Sequence, residues 1–289
     1  MRRKFAAPNR WGKNVEVFFC SPSLQRVMLT NSPDQLKPFG LSIIVPSYNE
    51  DYTIHQVLDA LLSLDIPGKK LEIIVVNDGS TDATGDHVES IEDARLVPIH
   101  HSTNLGKGAA VRAGIAAATG SHVLIFDADS EYDVNDVPRL VTPLLLGRAE
   151  VVYGSRMSGF GTVHPSLFHS VGNRAMTGFA NVLFGCAISD LHTCLKLLPT
   201  PLLRSFSLDE NGFGLDTQIS AEMLRAGFRP FEVPVSYVGR SKEEGKKIRF
   251  RDAFRCLYIL VKVRFRRVTP YGQRNRSLAP QVQAAPSFE

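Results

Sequence analysis

The stretch Leu124-Ile-Phe-Asp127-Ala-Asp129-Ser-Glu131-Tyr-Asp133 constrains this chain more than any other. A short apolar run, bounded upstream by Gly120, reads as a strand buried on both faces, and it leads straight into four carboxylates. Asp127 and Asp129 are two residues apart, so in extended chain both side chains point to the same side. Two carboxylates held together at a strand end repel unless a cation lies between them. Oxygen-only donors suit a hard divalent ion such as Mg2+ or Mn2+, which keeps positions open for phosphate oxygens. The plainer alternative is an acidic turn closing a strand, since Asp is common in turns.

The surrounding pattern places this stretch in an α/β chain. Apolar runs at Leu41–Val45, Leu71–Val76, Arg95–Ile99, Val123–Phe126 and Val151–Tyr153 read as strands. Helical spacing appears between them: Ile54, Val57, Leu58, Leu61 and Leu62, then segments near Ala83–Ile91, Gly108–Ala118 and Val137–Leu146. The alternation, with connections suited to parallel crossovers, predicts a mostly parallel sheet with helices on both faces. Ligands of such sheets bind at the carboxyl ends of the strands. Three of those ends carry suggestive chemistry: Pro46-Ser-Tyr48-Asn49-Glu50, Asn77-Asp78-Gly79-Ser80, and the Asp127 cluster.

Each further motif has a chemical and a merely local reading. Asp78 accepts hydrogen bonds from a base or ribose, or else Asp78-Gly79-Ser80 only turns the chain and caps a helix. Gly106-Lys107-Gly108 opens a helix whose amides and ammonium suit a phosphate, or is a plain helix start. Arg156, just after a strand, holds a phosphate by two hydrogen bonds, or is solvated. No GxGxxG or GxxxxGK[ST] occurs, which disfavours dinucleotide and P-loop sites. Polar clusters follow at Asp190-Leu-His192-Thr193-Cys194-Leu-Lys196, and at Asn211-Gly-Phe213-Gly214-Leu-Asp216 opening a helix over Thr217–Arg225. The cationic stretch Gly239-Arg240-Ser241-Lys242 to Lys247 closes over a diphosphate, or is a solvated charge run.

Charge is uneven although the net is only +4. Residues 1–40 hold seven Lys/Arg against two acids, and 239–289 hold thirteen against four, so the middle carries thirteen against twenty-three. Basic ends suggest an anionic membrane surface or nucleic acid as a neighbour. The acidic binding edge argues against a polyanion there, and a non-enzymatic nucleotide- or nucleic-acid-binding module is the lesser alternative. Phe250 to Arg267 reads as a basic amphipathic helix, suited to a membrane interface or to packing on the core. No apolar run reaches about 18 residues, and no h-region follows Arg2-Arg3-Lys4. Four cysteines without paired spacing fit a reducing compartment.

In order along the chain, Ile44-Val-Pro46-Ser47-Tyr48-Asn49-Glu50, Val76-Asn77-Asp78-Gly79-Ser80, Asn104-Leu-Gly106-Lys107-Gly108, Asp127-Ala-Asp129 and Gly154-Ser155-Arg156 resemble the motifs of family 2 glycosyltransferases of GT-A fold. Asp190-x-x-Thr193-x-x-Lys196 and Gly239-Arg240-Ser241 followed by Glu244-Gly245 extend the resemblance, which is strongest to the polyprenyl-phosphate mannose and glucose transferases. It implies a GT-A domain over 41–248; the residues on either side read as an irregular or partly helical lead-in (1–40), the basic amphipathic helix (249–268) and a disordered tail (269–289). It implies that Pro46, Tyr48, Asn49, Glu50, Asp78 and Lys107 bind the nucleotide-sugar and that Asp127, Asp129 and Glu131 hold Mg2+ or Mn2+. Lys196 and Arg240 would meet the diphosphate, and Arg156 and Arg174 the acceptor phosphate. The implied reaction moves a hexose, with inversion, from a donor of GDP-mannose or UDP-glucose type to a polyprenyl phosphate. The implied setting is the cytoplasmic face of a membrane, with peripheral contact and no nucleic acid. With a hydroxyl acceptor instead, Asp190 or Asp216 would have to act as base. Val134 and Cys194 depart from the family pattern, as does the lack of C-terminal transmembrane helices found in some relatives, which leaves sugar and membrane attachment open.

Overall fold

The computed structural model describes residues 39–66, 70–157, 162–163, 167–240 and 250–266. The expected lead-in, most of the cationic loop after Arg240 and the tail lie outside them. Strand β1 (Gly40–Ser47) pairs in parallel with β2 (Lys70–Asn77) on one side and β4 (His122–Ile125) on the other; β2 in turn pairs in parallel with β3 (Leu96–His100). Ile43, Ile44 and Val45 are all fully buried although they alternate between faces, so the sheet is covered on both sides. Between these strands run α1 (Ile54–Leu62), α2 (Thr84–Glu89) and α3 (Lys107–Ala117). In α1 the buried residues Ile54, Val57, Leu58 and Leu61 form one stripe, as their spacing requires.

The second half departs from simple alternation. After α4 (Val137–Leu145) and β5 (Val152–Ser155), the short strand β6 (Thr162–Val163) leads to helix α5 (Leu167–Phe184). The sequence reading has no counterpart for α5, because its Gly-, Asn- and Ala-rich segment lacks a strong apolar period. Strand β7 (Lys196–Pro199) inserts between β4 and β5 and runs antiparallel to both. The expectation of parallel crossovers throughout fails here: residues 185–195 return the chain to the carboxyl edge, and β7 starts from it. Then come α6 (Thr200–Ser205), α7 (Gly214–Arg225), β8 (Phe231–Pro234) and β9 (Tyr237–Val238). The seven-stranded order is β3-β2-β1-β4-β7-β5-β8, and β6 pairs with β9 in a small second sheet. Helix α8 (Phe250–Phe265) packs against α7 and α5. Among the described residues no helix is long and apolar enough to cross a membrane.

The two edges of the sheet differ in chemistry. At the amino edge, Glu72 accepts hydrogen bonds from Ser42, from Thr119 Oγ1 (2.8 Å) and from the Gly120 amide (3.2 Å). These donors hold its carboxyl below the usual range although burial opposes ionisation. Arg204 closes the same edge, donating to the last carbonyls of α3, including that of Ala118 at 2.8 Å. The carboxyl edge is the one with chemistry to spare.

Candidate active site

Two loops are stitched together at the carboxyl ends of β1 and β2. Asn49 and Ser130 have φ values of 54° and 57°, and both sit on this edge, one after β1 and one after β4. Asn49 reaches that conformation through its side chain: its Oδ1 accepts the Thr81 amide at 2.9 Å while its own amide donates to Ser80 Oγ at 3.0 Å. The Glu50 amide donates to Thr84 Oγ1 at 2.8 Å. Gly79 turns at φ 67°, and a Cβ there would lie 2.4 Å from the Thr103 backbone.

Asp78 is buried, and its carboxylate is already engaged. It accepts the Leu105 amide at 3.0 Å and the Gly106 amide at 2.7 Å, with His101 Nδ1 at 2.6 Å. It therefore fastens the loop before α3 rather than facing open solvent. The glycines of that loop serve the same assembly. Gly108 donates its amide to the Asn211 carbonyl at 2.6 Å, and a Cβ on Gly108 would sit 2.2 Å from the Glu210 carbonyl oxygen. The helix start expected to cradle a phosphate is filled by the 209–212 loop. Pro46 is buried within β1 opposite Val76.

The acidic cluster sits beside these loops. Lys107 Nζ lies 2.8 Å from Asp127 and 3.3 Å from Asp216, near the start of α7. Burial works against that charge, and Asp127 and then Asp216 overcome it, holding the ammonium above its usual range. Asp129, partly buried, has the opposite problem. Burial, then the charges of Asp127 and Glu131, push its carboxyl up to about 7. Glu131 is turned away from the pair, accepting Tyr237 Oη at 2.7 Å and the Arg240 amide at 2.6 Å. Arg240 completes the corner, with Nη1 2.8 Å from Glu50 and Nη2 2.6 Å from the Asp129 carbonyl oxygen.

Among the described residues no three His, Cys, Asp or Glu side chains converge as metal ligands. Of the expected set, Glu131 accepts from Tyr237 and Arg240 and Asp127 is paired with Lys107, while Asp127 and Asp129 stand together at the strand end. The pair fits a hard cation: its donors are all oxygen, and a cation there would relieve the opposition of burial, Asp127 and Glu131 to ionisation of Asp129.

Across the site, Arg156 and Asp190 form a buried fork. Arg156 Nε and Nη2 lie 2.7 and 2.8 Å from the Asp190 carboxylate, which also accepts Asn173 Nδ2 at 2.9 Å. Burial opposes the Asp190 charge, but Arg156 and Asn173 hold its carboxyl well below the usual range. Asn173 Oδ1 is 2.9 Å from His192 Nδ1, and His192 Nε2 is 3.1 Å from Thr217 Oγ1. Because Asn173 spends its amide on Asp190, its oxygen must accept from His192, which fixes the neutral Nδ1–H tautomer. Lys196 is fully buried, with Nζ 3.6 Å from Asp216, a hydrogen bond to the Thr193 carbonyl and the Tyr153 ring 5.3 Å away. Its expected meeting with a diphosphate is not available in this arrangement. Arg174, on the exposed side of α5, is not brought to Arg156's partners.

Residues 42–203 match the family model of glycosyl transferase family 2. The chain belongs to glycosyl transferase family 2. An undecaprenyl-phosphate mannosyltransferase of Micrococcus luteus is 28% identical over 212 residues, 70% of this chain and 85% of that protein. The low-salt glycan biosynthesis hexosyltransferase Agl6 of Haloferax volcanii is 28% identical over 227 residues, 75% of this chain and 52% of that one. This family 2 chain thus spans about half the length of the Haloferax relative it matches. Glucosyl-3-phosphoglycerate synthase of Mycobacterium tuberculosis, solved with Mn2+, UDP and glucosyl-3-phosphoglycerate, superposes with a TM-score of 0.60. At 20% identity, covering 78% of this chain and 80% of that one, the likeness establishes the GT-A fold.

For a family 2 glycosyltransferase, then, the sheet edge gathers Tyr48, Asn49, Glu50, Lys107, Asp127, Asp129 and Arg240. Asn173, His192 and Tyr237 join the hydrogen-bonded network around the candidate residues, and the sequence does not announce them as participants. His192 stood inside a recognised polar cluster, but Asn173 lies in the unforeseen helix α5 and Tyr237 in a two-residue strand, and neither carries a local signal.

Proposed function

We propose that this chain transfers a hexosyl group, with inversion at C1, from a nucleotide-diphosphate sugar to a polyprenyl phosphate. The observation that carries the choice of acceptor is the state of the two candidate bases. Asp190 is locked by Arg156 and Asn173, and Asp216 is held below its usual range against burial by Lys107 and Lys196. A carboxylate so stabilised is a poor base, and a hydroxyl acceptor needs one. A phosphate monoester has a second pKa of about 6 and is already largely dianionic at neutral pH. The similarity to an undecaprenyl-phosphate mannosyltransferase supports the same acceptor class.

In this reading Tyr48, Asn49 and Glu50 line the nucleotide side, where Asn49 and Glu50 are fixed by the β2 loop. Asp127 and Asp129 are the residues that would hold Mg2+ or Mn2+. When bound, such a cation supplies electrostatic stabilisation of the charge on the departing diphosphate. Lys107 and Arg240 stand beside the same carboxylates and add positive charge there. Arg156, kept in place by Asp190, keeps Nη1 for an anionic acceptor. The second reading, transfer to a hydroxyl, requires Asp190 or Asp216 to exchange its cationic partners.

The test is a panel of UDP- and GDP-sugars with Mn2+ or Mg2+, with and without polyprenyl phosphate in detergent. A sugar-lipid product formed by wild type and retained in Asp216→Asn supports the phosphate acceptor. Turnover lost in Asp216→Asn with donor binding intact, or transfer only to sugar hydroxyls, overturns it.

A further inference from the structure

Helix α8 carries two apolar arcs. Cys256, Ile259, Leu260 and Val263 are buried against the body of the protein. Leu257, Tyr258, Val261 and Phe265, together with Phe254, lie on the other side of the helix and are exposed, Tyr258 by 54% and Phe265 by 72%. At about 100° per residue the second arc is centred opposite the first. The outer face of a surface helix is normally polar, so a continuous aromatic and aliphatic arc there calls for something to cover it.

The neighbouring helix repeats the pattern. On α5, Val171, Ala175, Gly178 and Val182 share one exposed face, Val182 being 86% exposed, with Phe179 at its edge. The helices are tied by Arg264 Nε, 2.9 Å from the Leu183 carbonyl oxygen. Charge on these two helices is one-sided. Helix α5 contains no acid, and α8 contains only Asp252 against Arg251, Arg255, Lys262 and Arg264. Arg255 and Lys262 are paired with Glu210 and Asp209 of the body, whereas Arg174 and Arg264 have no carboxylate in reach among the described residues.

We propose that the exposed faces of α5 and α8 form a docking surface for an anionic lipid bilayer. The apolar arcs enter the boundary between headgroups and acyl chains, and the flanking Arg174 and Arg264 side chains reach lipid phosphates. A second copy of the chain is the poorer occupant: a two-fold contact would set Arg174 and Arg264 against their own kind with no acid opposite. The opposite side of α5 carries Asn173, bonded to Asp190, so the docked face backs directly onto the Arg156 side of the site. The inference stands on the face itself and holds whichever acceptor is correct.

Vesicle flotation with the full chain tests it, using phosphatidylcholine vesicles with and without phosphatidylglycerol, at low and high salt. Wild type is expected to float with the phosphatidylglycerol vesicles, less so at high salt and less with phosphatidylcholine alone. Tyr258→Ser/Val261→Ser/Phe265→Ser should reduce that partitioning by at least about tenfold, and Val182→Glu alone by several-fold. Circular dichroism, the melting temperature and nucleotide-sugar affinity serve as controls for folding. Failure of wild type to bind phosphatidylglycerol vesicles, or equal binding by folded variants, overturns the proposal. So does a wild-type dimer, measured by light scattering, that the triple variant dissociates while vesicle binding is absent.

Discussion

Lys107 and Asp127 are joined at 2.8 Å between the start of α3 and the end of β4, and the same ammonium reaches Asp216 at 3.3 Å on α7. One side chain thus supplies the counter-charge for carboxylates from both halves of the sheet. Removing one partner of a buried ionic group is costly because the other charge is left uncompensated. Lys107→Met should destabilise the protein by about 3 kcal/mol in urea unfolding. Mn2+ should then raise the melting temperature of the variant more than that of wild type, because the cation replaces the missing charge. Equal shifts would count against this role.

Asp129 makes a pH-dependent contribution of unusual sign for a carboxylate. Its folded pKa, about 7, lies above its ordinary value of 3.8, so folding takes up a proton in between. The folded state is penalised above pH 7, and the penalty is relieved as pH falls toward 3.8. Asp129→Asn should therefore be more stable than wild type at pH 8 without metal, by about 2 kcal/mol after allowance for its access to solvent. The advantage should vanish at pH 4 and be reversed by saturating Mn2+. Denaturant titrations at the two pH values check both signs.

Asp190 serves as the anchor of Arg156. Asp190→Asn removes the charge that matches a buried guanidinium and should cost about 3 kcal/mol of stability. Nucleotide-sugar affinity, proposed to rest on Tyr48, Asn49 and Glu50 across the site, should stay within about twofold where the variant is folded. A variant of wild-type stability with no turnover would instead identify Asp190 as a base.

His192 should make the fold sensitive to acid. Burial first, then the charges of Lys196 and Arg156, lower its pKa from 6.5 to about 4. The unfolded chain binds a proton in that interval and the folded one does not, so stability falls as pH drops through 6.5 toward 4. The loss attributable to this residue is about 3 kcal/mol. His192→Gln should flatten the difference in unfolding free energy between pH 7 and 5.

The sheet's first half is readable because its strands are continuous apolar runs closed by polar turns, and each of its helices keeps one buried stripe. The same regularity let Asp127, Asp129 and Glu50 be placed at one edge. What the sequence could not convey is who holds whom. Asp78 and Glu131 look like ligands by position, yet backbone amides and a tyrosine hydroxyl, drawn from loops 27 and over 100 residues away, take up their oxygens. Helix α5 escaped because its buried side is made of Asn173, Thr177 and Ala180, which carry little hydropathic contrast. The basic residues of the C-terminal segment read as a membrane-facing set, but Arg255 and Lys262 of α8, and Arg266 just beyond it, are spent on Glu210, Asp209 and Glu222.

Strand β7 runs against its neighbours, and this bears on how the cleft is built. The segment feeding it, residues 190–195, arrives at the chemical edge from the opposite direction to the loops after β1, β2 and β4. Asp190 of that segment holds Arg156 and its neighbours are largely buried, so this side of the cleft changes only by compensated substitutions, apart from the hydrogen-bonded framework of Asn49, Asp78 and Thr84 on the other. The two sides of the cleft are thus built by chain segments of opposite approach, and a change on one need not propagate to the other.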